Sequence, residues 1–226
     1  MEQTKWTGIA AVAALWSTQV VLALVFRFDL VGDRPLSYLA LEAELGFLFG
    51  AGLVVSAVLF VTFLRYLRHR YLVGVAFSLA MLVGMAGQFV TGVIPIGGTG
   101  AGSRVHVAAA LTLGASIPVL MWRFAADQPP GAWRRWCYRL FWLEAAACVA
   151  GIMLSRNQVA PLAEILPALA FHAWVALVTF GAGHGNAARR EERAGHGPPK
   201  ALPRHSVGLC AGYGMALRQG PTSSPV

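Results

Sequence analysis

The chain has 226 residues, 57% of them hydrophobic and 12% charged, with a net charge of +8 and a mean hydropathy of +0.60. A soluble domain carries about 25% charged residues, so a water-soluble globule is excluded and a polytopic membrane protein is the starting class. The basic residues flank apolar runs instead of forming one face, which argues for membrane topology and against a nucleic-acid partner.

Six apolar runs, over 8–26, 43–64, 71–94, 105–122, 137–155 and 161–182, each approach the roughly 20 residues a spanning helix needs. Helix is forced because backbone groups in hydrocarbon have no water to bond, and a barrel would show alternation instead of solid apolar runs. The fold class expected is therefore all-α: a bundle of six transmembrane helices over 1–183, with both termini cytoplasmic.

The first run follows Lys5, and no small-x-small cleavage site comes after it, so a retained helix is expected and not a signal peptide. Asp29, Asp33, Arg34, Ser37 and Tyr38 occupy the longest external loop. Glu42 and Glu44 open the second run, where Gly46 and Gly50 form a GxxxG; Ala76, Ala80 and Gly84 make a small-residue stripe in the third, as close helix packing in lipid requires. The segment RYLRHR (65–70) reads as a basic connection. Gln88 and Thr91 lie near the outer end of the third run. The Gly-rich stretch GGTGAGS (97–103) fits neither nucleotide-binding spacing and reads as a bend that positions His106.

Arg104 and His106 open the fourth run. In RFAADQPPGAWRRW (123–136), Pro129, Pro130 and Gly131 make a turn, and Trp133 and Trp136 sit where aromatic side chains settle at the membrane interface. Trp142 and Glu144 lie in the fifth run, Glu164, His172 and Trp174 in the sixth. Pro118 and Pro167 fall inside runs, where each frees a carbonyl. Cys137, Cys148 and Cys210 show no metal or redox spacing, and Cys148 reads as a small buried hydrophobe. Residues 184–226 read as a disordered basic cytoplasmic tail, with His184, His196 and His205 solvated. Eleven Lys and Arg on one side against four on the other place both termini in the cytoplasm, and the expected location is the inner (plasma) membrane.

At Gly92-Val93-Ile94-Pro95, a short loop, then His106 and Ala109, the chain resembles a bacterial six-helix membrane family catalogued as domain of unknown function 998, related to the FRAG/DRAM group. Pro35, Ser37 and Tyr38, then Gly46 and Gly50, match the start of that family's second helix. The resemblance covers about 8–182. It implies a third helix ending in a G-x-x-P turn and a His opening the fourth, and it carries no assigned reaction.

Ionisable groups inside a bilayer face a cavity or a partner, and two clusters follow. At the outer face, Glu42, Glu44, Gln88, Arg104, His106 and Glu164 gather. Deeper, Glu144 and His172 reach similar depth, about 10–15 Å from the cytoplasmic edge at the helical rise, as a structural pair or as the lining of a cavity. The expectation is an acid–base enzyme acting on a lipid or isoprenoid-like substrate, for example a terpene cyclase. Glu44, His106, Glu144 and His172 are its candidate catalytic groups, and Glu42, Gln88, Arg104, Trp142, Glu164 and Trp174 would bind substrate. No metal and no cofactor is expected. The alternative is a non-catalytic membrane protein that binds lipid or a membrane-protein partner.

Overall fold

The computed structural model describes residues 3–42, 44–97, 100–157 and 159–181. The tail expected over 184–226 and the middle of the Gly-rich bend lie outside them. Six helices make up the bundle: α1 (Thr7–Val25), α2 (Phe47–Arg70), α3 (Val75–Val93), α4 (Ala101–Asp127), α5 (Ala132–Arg156) and α6 (Ala160–Phe180). All six are long and apolar enough to cross a membrane, so the protein is an all-α, multi-pass membrane protein. Each helix packs against its neighbours in the chain, and α1 meets α6 to close the ring.

The helix ends depart from the apolar runs, and the causes are local. RYLRHR is not a connection: it is the last turn and a half of α2, where Arg68, His69 and Arg70 complement the negative end of the helix dipole. The chain turns instead at 71–74. Helix α4 takes in 101–103 at one end and 123–127 at the other, so the bend between α3 and α4 is shorter than its glycine content suggests. The turn between α4 and α5 falls at 128–131, where Gly131 adopts φ 155; this arginine-rich end is called inner, and the opposite end outer, after the expected topology. Gly46 lies just before α2, not within it, so Gly50 alone of that GxxxG works inside the helix. A Cβ on Gly92 would lie 2.7 Å from the Gly50 carbonyl, and one on Gly50 would collide with the Gly92 carbonyl. The α2–α3 crossing is therefore backbone on backbone. Helix α6 continues through Pro167. Proline leaves the Ala163 carbonyl without its helical donor, and Gly151 of α5 supplies the room for that oxygen, since a Cβ there would stand 2.7 Å from it.

Two features escape the apolar pattern. A 3₁₀ helix (Leu36–Leu41) folds over the outer end and buries Leu36 and Leu39 against Leu15, Leu22, Phe49 and Leu53. At the end of α1, Phe28 N–H donates to the Ala23 carbonyl at 2.8 Å and Arg27 N–H to Leu24 at 3.3 Å, with Arg27 at φ 48. This is a Schellman closure with arginine in the position glycine favours. The main core occupies the inner half of the bundle, around Phe60, Phe77, Phe124, Phe171 and Trp174.

Candidate functional site

Buried polar groups must find hydrogen bonds, and in lipid no water supplies them. The partner each candidate takes therefore defines what it can do. His172 lies on the face of α6 turned to α1 and α2. The Trp16 indole N–H donates to its Nδ1 at 2.8 Å, so the ring proton sits on Nε2. The Phe60 ring lies almost parallel to the imidazole, at 7° and 6.2 Å.

Glu144 of α5 is fully buried. The Cys148 thiol, one helical turn further along, donates to its Oε1 at 3.5 Å, while Oε2 has no partner among the described residues. The expected Glu144–His172 pair is not formed: α1 supplies the partner of the imidazole, and the carboxyl's own helix supplies the thiol. Cys148 is thus a donor and not only a small hydrophobe. Trp142 and Trp174 do not share a pocket wall. Trp142 is 66% exposed while Trp174 is 0% exposed. Two residues of helix amount to about 200° of rotation, which turns Trp142 away from the side that buries Glu144. Trp174 fills the core, edge-on to Phe124 at 5.2 Å and stacked on Phe171 at 5.7 Å.

The outer candidates are dispersed in the same way. The His106 Nδ1–H donates to the Ile94 carbonyl at 2.5 Å, which ties the start of α4 to the end of α3. Gln88 Nε2 donates to the Leu53 carbonyl at 3.0 Å, joining α3 to α2. Glu164 accepts the Leu36 amide at 3.1 Å and so holds the 3₁₀ helix against α6. The backbone carbonyl of Glu42 accepts the Gly46 amide at 2.9 Å. Glu44 and Arg104 are exposed; Arg104 borders a shallow depression of about 280 Å³ on α4 with Ser103, Val107 and Leu111. Among the described residues, no hydrogen bond joins any two of the four candidate catalytic side chains. Among the described residues, no three His, Cys, Asp or Glu are grouped to hold a metal ion.

What sequence reasoning missed is apolar. Helices α5 and α6 flank an open groove of about 440 Å³, lined by Leu143, Ala146, Ala147, Leu166, Leu169 and Ala173, among others. Its signal lay in the alanines of 145–150, whose small side chains leave space between two helices. The aromatic set at the inner end is a second omission. Tyr71 stacks on Trp133 at 5.8 Å and 10°, meets Phe124 edge-on at 5.2 Å, and donates its hydroxyl to the Val178 carbonyl at 2.6 Å. It pins the inner ends of α2, α4, α5 and α6 together.

Six spanning helices, a third helix closing at Val93 before Pro95, and a histidine early in the fourth define a class of polytopic membrane bundle. The chain belongs to the family described as protein of unknown function DUF998, whose model matches residues 9–181. No curated protein and no solved structure matches the chain.

Proposed function

We propose that the protein is a lipid-binding protein of the inner (plasma) membrane that holds an acyl or isoprenoid-like chain in the groove between α5 and α6. The groove carries this reading: it is apolar, it lies within the spans and it opens sideways, so a hydrocarbon chain enters from the bilayer without crossing water. The dispersal of the candidate acids and imidazoles supports binding over catalysis. One observation favours the enzymatic alternative, the unpartnered Oε2 of buried Glu144. It stands on the helix that forms one wall of the groove, and a carboxyl kept from water is suited to donating a proton to an alkene or epoxide oxygen.

The test uses the full chain in phosphatidylcholine vesicles that contain a lipid with a photoreactive acyl chain. Cross-links are expected to concentrate on 143–150 and 166–173, and to fall several-fold in Ala146→Phe/Ala173→Phe, where bulk fills the groove without entering the core. Cross-links spread evenly around all six helices would overturn the binding reading. A polyprenyl epoxide is the probe for the alternative. Turnover by the unaltered chain that Glu144→Gln abolishes would establish it, and absence of turnover would remove it.

A further inference from the structure

Cations collect at one end of the bundle, and four aromatic rings hold them in place. The inner ends of α2, α4 and α5 are fastened to one another: besides the Tyr71 contacts, Gln128 Nε2 donates to the Leu72 carbonyl at 2.9 Å, and the Gly74 amide donates to Asp127 at 2.7 Å. The charges on these ends therefore share one surface. The Arg139 guanidinium lies 4.6 Å over Trp136, Arg134 lies 5.6 Å over Tyr138, Arg123 lies 5.4 Å over Trp122, and the Lys5 ammonium lies 5.0 Å over Trp6. Trp6, Trp122 and Trp136 are 51%, 45% and 52% exposed, as rings lying at the headgroup level of a bilayer would be. Among the described residues the one carboxylate at this end is Asp127, and an oxygen of that group is already taken by the Gly74 amide. The Nε of Arg123 is buried with no hydrogen-bond partner among the described residues.

We infer that this end of the bundle is a binding surface for anionic phospholipid headgroups, with Arg123, Arg134 and Arg139 as its phosphate ligands. A guanidinium held over a ring by its cation–π attraction still has N–H groups to offer, and their fork matches two oxygens of a phosphate. The tryptophans set the depth: a ring lying among the headgroups carries its arginine to the phosphate layer. Zwitterionic lipids offer the same phosphate with a compensating ammonium, so net negative charge is the feature selected. Arg139 lies one helical turn before the groove-lining Leu143, so the surface borders the α5–α6 groove, and the groove variant, which leaves the arginines in place, tells the two readings apart.

Native mass spectrometry of the full chain in detergent, titrated with equimolar phosphatidylglycerol and phosphatidylcholine, tests this. Each Lys or Arg near a charged membrane surface is worth about 1 kcal/mol, so a preference for phosphatidylglycerol of about tenfold or more is expected. Arg123→Gln/Arg134→Gln/Arg139→Gln should bring the two lipids to parity. Arg27→Gln/Arg34→Gln/Arg104→Gln, at the opposite end, should keep the preference, as should the groove variant. Equal retention of the two lipids by the unaltered chain would overturn the inference, and so would a preference that survives the first triple change or is lost in the second. If the first triple variant does not fold, salt decides with the unaltered chain. The preference should collapse between about 0.05 and about 0.5 M NaCl as screening shortens the reach of the charges, and a preference insensitive to salt would refute it.

Discussion

Tyr71 concentrates the inner-end packing in one side chain. It lies just past the end of α2, fully buried, and burial raises its hydroxyl above the usual phenol range, with neighbouring Tyr66 acting in the same direction. The hydroxyl therefore keeps its proton and donates to Val178 without interruption near neutral pH. The sign is that of an acid harder to ionise when folded: its contribution is complete below about pH 10, where an unfolded tyrosine titrates, and declines as pH rises beyond that. Tyr71→Phe should cost about 1–2 kcal/mol at pH 8, because the Val178 carbonyl loses its donor. Thermal unfolding in detergent from pH 8 to pH 11 checks both points, and the variant should lose less stability over that interval than the unaltered chain. The ionisable residues could be found in the sequence because charge is conspicuous in apolar runs. Their partners could not. The separation of 156 positions from Trp16 to His172 leaves no local trace, and the pairing of Glu144 with its own helix depended on a cysteine that reads as a hydrophobe.

Among the elements, the six helices were legible because the bilayer imposes one length and one composition on each. Their ends were less so, since hydropathy falls before a helix does: Arg65, Arg68, His69 and Arg70 are polar and still helical. The 3₁₀ helix over 36–41 is too short to show a period, and its docking depends on Leu36, Leu39 and the distant Glu164. Two termini make opposite predictions about backbone strain. Arg27 occupies a left-handed conformation that costs a non-glycine residue about 1 kcal/mol, so Arg27→Gly should leave stability unchanged or raise it by up to that amount. Gly131 occupies a region nearly closed to other residues, and nothing lies within 4 Å of where its Cβ would be. Gly131→Ala should therefore cost about 1–3 kcal/mol through backbone strain alone. Urea unfolding of the two variants beside the unaltered chain separates these outcomes.

At the scale of the molecule, the asymmetry of basic residues predicts which end faces the cytoplasm. In a cysteine-free background, a membrane-impermeant maleimide applied to intact cells should label Arg34→Cys and spare Arg135→Cys; the reverse pattern would invert the bundle. The ring itself has unequal joints. Helices α1–α2, α3–α4 and α5–α6 pair extensively within the chain, whereas α1 meets α6 along a slight contact that includes the Trp16–His172 bond, beside which Trp6, just before α1, meets Phe180 edge-on and the Gly32 carbonyl, in the loop after α1, accepts the Ala160 amide. Synthesis delivers these partners far apart in time. Three hairpins can settle into the bilayer as they leave the ribosome, but the indole of the first helix has no imidazole to bond until the sixth has been made. The joint between the first and last helices thus waits on the end of synthesis, because one side of its Trp16–His172 bond is made last.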